Sequence, residues 1–433
     1  MRLTVIGTGY LGATHAACMA ELGHEVLGVD VDADKVAALR AGRVPFHEPG
    51  LAELIERHTA SGRLRFTTDY AEAGAFGDVH FVCVGTPQRA DCAGADLTYV
   101  DAAFAAIAAH TRPGALLVGK STVPVGTAGR LARSHEAEVA WNPEFLREGF
   151  AVADTLRPDR LVFGVESERA ETVLRAVYAP VLAAGTPLVT AGFATAELVK
   201  TAANAFLATK ISFINAMAEV CEAAGGDVGT LAEALGHDDR IGPKFLRSGV
   251  GFGGGCLPKD IRAFAHRAGE LGVSLEFLRE VDAINMRRRD RVVELARELC
   301  GGSLAGTRVT VLGAAFKPDS DDIRDSPALD VADRLRLAGA DVTVYDPAAM
   351  DNARKAFPRL GYAVCVEEAL RGAGLVLHLT EWPQFREIDP EQAAAWVDRP
   401  RIVDGRGVLD ADRWTAAGWQ LRAPGRPAPR EEG

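Results

Sequence analysis

At 433 residues the chain is long enough for two or three domains with real cores. Its formal net charge of −11 argues against a general nucleic-acid binder, which needs a basic patch or domain, so any anionic ligand must find its cations locally. Seven cysteines without a CxxC pair or metal-like spacing point to free thiols in a reducing compartment and to no metal site. No apolar run approaches the roughly 20 residues that span a bilayer, and Met1 to Ile6 runs straight into a glycine loop with no signal peptide, so a cytoplasmic protein without a membrane partner is expected.

Arg2 to Ile6 reads as a short apolar strand, followed by Gly7-Thr8-Gly9-Tyr10-Leu11-Gly12 and a small-residue helix through Ala20. This is G-x-G-x-x-G between a strand and a helix. Gly7 permits the tight turn, Gly9 lets backbone meet a pyrophosphate, and Gly12 lets the helix pack on the sheet. A second strand, Glu25 to Val29, ends in Asp30. A carboxylate there accepts hydrogen bonds from ribose hydroxyls and repels a 2′-phosphate, which selects NAD over NADP. Lys35 is a further candidate contact, the plainer alternative being a solvated helix charge.

Further βα units follow. Strands are expected at Val79 to Val84, Ala115 to Gly119, Val139 to Trp141, Leu161 to Val165 and Leu188 to Thr190. The first three end in Gly85-Thr86-Pro87, in Lys120-Ser121-Thr122-Val123-Pro124 and in Asn142-Pro143-Glu144-Phe145-Leu146-Arg147-Glu148-Gly149. In open parallel sheets ligands bind beyond the strands' carboxyl ends, which makes Thr86, Thr122, Glu144 and Glu148 candidates. Turn chemistry beside proline would also account for the threonines, and helix-face charge for the glutamates.

Thr195 to about Ala224 reads as one long buried helix. Lys200 and Asn204 lie four residues apart on it, and a lysine and an amide on a buried face are costly unless paired, so they are read as an active-site pair rather than a snorkelling lysine. Leu231 to Gly236 is a further short helix. Arg240-Ile241-Gly242-Pro243-Lys244-Phe245-Leu246-Arg247-Ser248 then sets cations and an aromatic beside Gly249-Val250-Gly251-Phe252-Gly253-Gly254-Gly255-Cys256, a combination suited to a phosphorylated, ring-bearing ligand. Pro258-Lys259-Asp260 opens another helix. Cys256 therefore stands ahead of a helix N-terminus with Lys259 three residues on, and both features favour the nucleophilic thiolate. A helix from about Leu275 to Leu299 follows.

After Gly301-Gly302-Ser303 a second nucleotide-fold-like unit is expected, with strands at Arg308 to Leu312, Val342 to Tyr345, Leu375 to Leu379 and Arg401 to Val403. The fold class is thus α/β, two Rossmann-like doubly wound domains joined by a central α-helical domain. From Ala423 the tail is rich in Pro, Gly, Arg and Glu and is expected to be disordered.

Together, Gly7-x-Gly9-x-x-Gly12, Lys120 to Pro124, Asn142 to Gly149, Glu197-x-x-Lys200-x-x-x-Asn204, Gly251-Phe252-Gly253-Gly254-x-Cys256-x-Pro258-Lys259-Asp260 and Phe316-Lys317 strongly resemble the UDP-glucose/GDP-mannose dehydrogenase family, over nearly the whole chain to about Leu409. The resemblance implies an NAD-binding domain over 1–194, a central dimerising domain with the cysteine loop over 195–300, and a domain gripping the nucleotide of the sugar over 301–422. It implies that Asp30, Lys35, Thr86, Thr122, Glu148, Lys259 and Arg324 contact NAD. It places Glu144, Phe145, Leu146, Lys200, Asn204, Phe245, Leu246, Arg247, Ser248, Gly249, Gly253 and Lys317 on the nucleotide sugar, joined by Arg406 and, from a neighbouring subunit, Arg240. Gly255 stands where serine is common and Gly407 where asparagine is common; neither coincides with a catalytic role.

The chemistry so implied is a four-electron oxidation of the C6 alcohol of a nucleotide hexose, UDP-glucose foremost, through a thiohemiacetal and a thioester on Cys256. Lys200 and Asn204 stabilise oxyanions, Asp260 orients or deprotonates water, and Glu148 or a water near Thr122 serves as base. The alternatives are the same chemistry on TDP-glucose or GDP-mannose, a two-electron hydroxy-acid dehydrogenase, and a non-catalytic nucleotide-sugar sensor. The two-electron alternative leaves Cys256 and the third domain unexplained, and the sensor leaves the Cys, Lys and Asp set unexplained.

Overall fold

Apolar runs of four or five residues, each followed by a helical stretch, need a sheet covered on both faces, and this is what they form. The computed structural model describes residues 1–426. Two compact units are present, Met1–Ala203 with His266–Val273, and Asn204–Ala265 with Ser274 onward.

The first unit carries eight strands: β1 (Arg2–Ile6), β2 (Glu25–Val29), β3 (Leu64–Thr67), β4 (Val79–Val82), β5 (Leu116–Gly119), β6 (Glu138–Trp141), β7 (Leu161–Gly164) and β8 (Leu188–Ala191). Their order is β3-β2-β1-β4-β5-β6-β7-β8. The sheet is parallel except between β6 and β7, which pair antiparallel at Trp141 and Gly164. Separate apolar clusters cover it, one built on Leu3, Met19, Leu116 and Phe163 and another on Ile6, Val82, Phe104 and Trp141. The order reverses beside β1, so the connections leaving the carboxyl ends of the paired strands β1 and β4 part and leave the crevice where a dinucleotide is bound in such folds.

The second unit holds β9 (Arg308–Leu312), β10 (Asp341–Tyr345), β11 (Gly361–Tyr362), β12 (Leu375–His378), β13 (Arg401–Asp404) and β14 (Gln420–Arg422), all parallel, in the order β11-β10-β9-β12-β13-β14. Between the two sheets in sequence lie the helices Phe193–Ala224, Val228–Gly236, Leu257–Glu270 and Glu276–Leu299 of the central region. Their apolar clusters are small, Phe252 with Ile261, Leu278 and Val281, and Ile214 with Val228 and Leu246. Val292, Val293, Leu295 and Ala296 of the helix Glu276–Leu299 instead join the core of the second sheet.

The tail expectation needs correction. Ala423, Pro424 and Gly425 are buried; Gly425 N donates to Glu222 at 2.7 Å and its carbonyl accepts from Val228 N at 3.0 Å. Bonds to both neighbours fix a segment whose composition alone predicts disorder; residues 427–433 lie outside the described part. Among the described residues no helix is long and apolar enough to cross a membrane, and no group of three His, Cys, Asp or Glu side chains forms a metal site.

Candidate active site

In the first unit, the glycine turn fits a pyrophosphate. A side chain at Gly12 would collide with the Gly7 carbonyl at 1.7 Å, whereas Gly9 faces open space. Asp30 ends β2 and is buried. Its Oδ2 accepts from Thr8 N at 2.8 Å, from the Thr8 hydroxyl at 3.0 Å and from Lys35 Nζ at 3.0 Å, and its Oδ1 accepts from Asp32 N at 3.1 Å. Burial alone would raise its pKa, but these donors outweigh it and hold the carboxyl below the usual range, ionised at neutral pH. Lys35, expected on the cofactor, is paired with Asp30.

The loops after β4, β5 and β6 interlock. The Thr86 hydroxyl donates to the Thr122 carbonyl at 2.8 Å, and the Ser121 hydroxyl to the Val84 carbonyl at 2.6 Å. Beneath them Lys120 is buried, with Nζ 3.0 Å from Asn142 Oδ1 and 3.4 Å from the Tyr178 hydroxyl. Burial lowers its pKa from 10.5 to about 8. Lys200, buried on the helix Phe193–Ala224, forms an ion pair with Glu144 at 3.0 Å, so the costly cation is paired with a residue of the same candidate set. Its Nζ lies 5.8 Å from the Phe145 ring, whose other neighbour is Arg160 at 3.9 Å. Leu146 N donates to Glu144, and Glu148 is half-buried in the same loop.

In the second unit, Cys256 is exposed and immediately precedes the helix Leu257–Glu270. Its carbonyl accepts from Asp260 N at 3.0 Å, which places the thiol at the helix cap. Asp260 is buried, and Asn204 Nδ2 donates to its Oδ2 at 2.7 Å while Lys259 Nζ holds its Oδ1 at 2.6 Å. The approach to the loop is strained: Phe245 adopts φ +64°, rare for an aromatic residue, while Leu246 is buried and Arg247 exposed. Ser248 is half-buried, and Gly249 N donates to Asn215 Oδ1 at 2.9 Å.

The glycines that follow are tight against other backbone and rings. A side chain at Gly253 would meet the Asp325 carbonyl at 2.2 Å, and one at Gly254 the Phe316 ring at 2.8 Å. At Gly255 the place of a serine side chain is taken by the Arg324 guanidinium, 2.2 to 2.5 Å from where Cβ would stand. Arg324 also clasps Asp322, with Nη2 2.6 Å from Oδ2. Gly407 has φ +63°, a conformation that glycine and asparagine both tolerate, so that departure is conformational. Lys317 Nζ lies 5.4 Å from the Phe316 ring. Arg406 is engaged with protein: its guanidinium donates to the carbonyls of Leu379, Phe316 and Gly251 at 2.6, 2.9 and 3.3 Å and pairs with Glu381 at 3.2 Å. Arg240 is highly exposed and pairs with Asp238, two residues before it.

Several supporting residues had escaped the sequence reading. Asn285 clamps Phe252 through both its backbone groups, at 2.8 and 3.0 Å. Asp404 accepts from the N–H groups of Arg406, Gly407 and Leu409 and pairs with His378 at 3.0 Å. Glu48 accepts from Gly149 N and Ala151 N. Only Glu48 carries a local signal, Glu-Pro-Gly directly before a helix; the others are single polar residues whose partners lie far away in sequence.

Three family models match along the chain: the UDP-glucose/GDP-mannose dehydrogenase family NAD binding domain over residues 1–182, its central domain over 194–287 and its UDP binding domain over 310–411. A UDP-glucose 6-dehydrogenase of Rhizobium meliloti is 42% identical over 436 residues, covering 99% of this chain and 100% of that protein. A UDP-glucose 6-dehydrogenase of Haloferax volcanii is 43% identical over 426 residues, covering 94% and 97%. Among solved structures, a UDP-glucose dehydrogenase from the archaeon Pyrobaculum islandicum superposes with a TM-score of 0.89 at 39% identity, covering 99% of this chain and 97% of that one. With Asp30 beside the glycine turn and Cys256 capping the helix that carries Asp260, the chain belongs to the UDP-glucose/GDP-mannose dehydrogenase family and uses NAD.

Proposed function

We propose that the chain oxidises the C6 alcohol of UDP-glucose to the carboxylate of UDP-glucuronate, with two NAD reduced per sugar. The observation that carries this is Cys256 at the cap of a helix whose first turn holds Asp260 between Asn204 and Lys259, in a chain full-length similar to UDP-glucose 6-dehydrogenases.

Gly7, Gly9, Gly12 and Asp30 hold NAD, with Lys35, Thr86, Thr122, Glu148, Lys259 and Arg324 as further contacts; when bound, it supplies the hydride acceptor. The remaining chemistry belongs to the protein. Glu148, or a water held at Thr122, takes the proton of the C6 hydroxyl while C6 gives up a hydride, and the alcohol becomes an aldehyde. The Cys256 thiolate adds to the aldehyde carbon and the oxygen is protonated, giving a thiohemiacetal. Loss of its hydroxyl proton and of a second hydride from C6 gives the thioester. Water, oriented or deprotonated by Asp260, attacks that carbon; the C–S bond breaks and the thiolate returns. Lys200 and Asn204 stabilise the oxyanions. Glu144, Phe145, Leu146, Phe245 to Gly249, Gly253, Lys317 and Arg406 bind the nucleotide sugar.

We further propose a cytoplasmic homodimer formed by the central helices, 195–300, with Arg240 reaching the neighbour's substrate. The long helix exposes Phe206, Phe213 and Val220, seven residues apart on one stripe, an apolar face that a second copy would cover. Sedimentation at assay concentrations tests the dimer.

A panel of UDP-glucose, TDP-glucose and GDP-mannose, assayed for NADH released per sugar, tests the reaction. Two equivalents with UDP-glucose are expected. One equivalent would favour a two-electron dehydrogenase, and none with any sugar a nucleotide-sugar sensor.

A further inference from the structure

Two buried carboxylates in the first unit have no place in the chemistry above, and they make the same arrangement. Glu197, at 2% exposure, accepts from Gly126 N at 2.7 Å through one oxygen and from Ala128 N at 2.6 Å through the other. Glu48, at 6% exposure, accepts from Gly149 N at 2.6 Å and from Ala151 N at 2.7 Å, again one per oxygen. Each takes the N–H groups of residues i and i+2 where a βα loop turns into its helix, Thr127–Ser134 in one case and Ala151–Leu156 in the other. The first turn of a helix leaves these donors without intrahelical partners. Neither Gly126 nor Phe150, the residues at the caps, supplies a side-chain acceptor, so a remote carboxylate does the work of a local cap.

The loops held in this way carry Thr122 and Glu148. Additional bonds reinforce each. Arg267 Nε donates to the Val125 carbonyl at 3.0 Å on the first. Tyr10, from the glycine turn, donates its hydroxyl to Glu48 and accepts from Gly149 N at 3.0 Å on the second. Burial pushes up the pKa of Glu197, against the pull of the three N–H groups and Arg267, so this carboxylate is kept inside at a cost that its bonds must offset.

We propose that Glu48 and Glu197 are positioning residues for the reaction, which hold the loops after β6 and β5 so that Glu148 and Thr122 stand where the hydroxyl proton is removed. This rests on the roles given to Thr122 and Glu148 above.

Glu48→Gln and Glu197→Gln keep the size but leave one acceptor oxygen for two donors. The test is the single-turnover rate of NADH formation from UDP-glucose, per site counted by stoichiometric ligand binding, beside a thermal melt. Each variant is expected to lose about tenfold to a hundredfold in that rate, the scale of an ångström-sized misplacement. A purely structural role would lower the melting temperature and the number of binding sites but leave the rate per site within about twofold of the unmodified protein, and that result overturns the proposal. Thr122→Ala and Glu148→Gln should slow the same step; if they do not while the two glutamine variants do, the carboxylates act on something else and the proposal also fails. Should either glutamine variant not fold, Arg267→Gln and Tyr10→Phe loosen the same two loops more gently, and unchanged rates per site in both would overturn it. Absence of NADH from the unmodified protein instead overturns the proposed function itself, and this assignment with it.

Discussion

Asn204 and Asp260 are joined by a 2.7 Å hydrogen bond from amide to carboxylate, and Lys259 holds the other carboxylate oxygen at 2.6 Å. Asp260 is thus fixed in place four residues beyond the thiol, with both oxygens already accepting. A carboxylate so placed suits the hydrolytic step better than the oxidative ones. Asp260→Asn is expected to release a rapid burst of NADH and then turn over about a hundredfold to ten-thousandfold more slowly, the usual scale for a missing general base. Intact-protein mass spectrometry of the stalled enzyme should show the sugar acylated on Cys256; a steady rate near normal would remove Asp260 from hydrolysis.

In the proposed function, Asp30 is the residue that selects the cofactor. Its four donors keep it ionised, and a negative charge at the end of β2 repels a 2′-phosphate. NAD is expected to be strongly preferred. Asp30→Ala should cost about tenfold to a hundredfold in kcat/KM for NAD, the range for losing charged hydrogen bonds, while the value for NADP changes far less. Comparable turnover of the two cofactors by the unmodified protein would contradict this.

Legibility in the sequence followed locality. β1, the glycine turn and Asp30 lie within one βαβ unit, so spacing alone describes them, and Cys256 ahead of Pro258 carries its own helix-start signal. The partners of these residues lie elsewhere in the chain. Nothing near Lys200 points to Glu144, nor near Phe252 to Asn285, because such pairs exist only once the chain has folded. Arg406 was readable as a cation but not as one already bonded to three carbonyls. Gly255 was readable as a departure, while its reason, the guanidinium of Arg324 in the vacant place, is tertiary.

Lys120 gives a pH signature. Its pKa falls from 10.5 in the unfolded chain to about 8 in the fold, because burial penalises the charged form. Below pH 8 both states are protonated and it adds no pH dependence. Between pH 8 and 10.5 the unfolded chain holds the proton and the folded one does not, so stability from this group rises with pH, by on the order of 3 kcal/mol in all. Lys120→Met keeps the bond from the Tyr178 hydroxyl to Asn142 and removes the titration. The difference in urea midpoint between the two proteins should therefore shift in favour of the lysine form from pH 8 to 10, and parallel pH curves would refute it.

Gly425 tests the packed end of the chain. Its φ is +80°, and an added Cβ would lie 2.4 Å from Val228 Cγ1 and 2.8 Å from Ala218 Cβ. Gly425→Ala is expected to destabilise the second unit by about 1–3 kcal/mol, as overpacking does. A chain ending at Arg422 should lose stability similarly, since the bonds to Glu222 and Val228 go with it. Unchanged denaturant midpoints in both would mean that this segment contributes nothing.

Cys256 bears the heaviest load in the mechanism. It is exposed, stands directly ahead of a helix and forms no disulfide. Cys256→Ser preserves the size of the side chain but replaces a thiol that ionises readily with a hydroxyl that does not, and an ester formed there would leave far less easily than a thioester. Binding of NAD and UDP-glucose should stay within a few fold, because the residue is needed for covalent steps and not to hold either ligand. Uronate formation should fall by orders of magnitude. The decisive measurement mixes the variant with UDP-glucose and excess NAD and counts NADH against sugar consumed. Slow release, with an acyl adduct visible as a mass increase, is the expected result. Two equivalents of NADH per sugar at close to the normal rate would show that Cys256 is not the nucleophile.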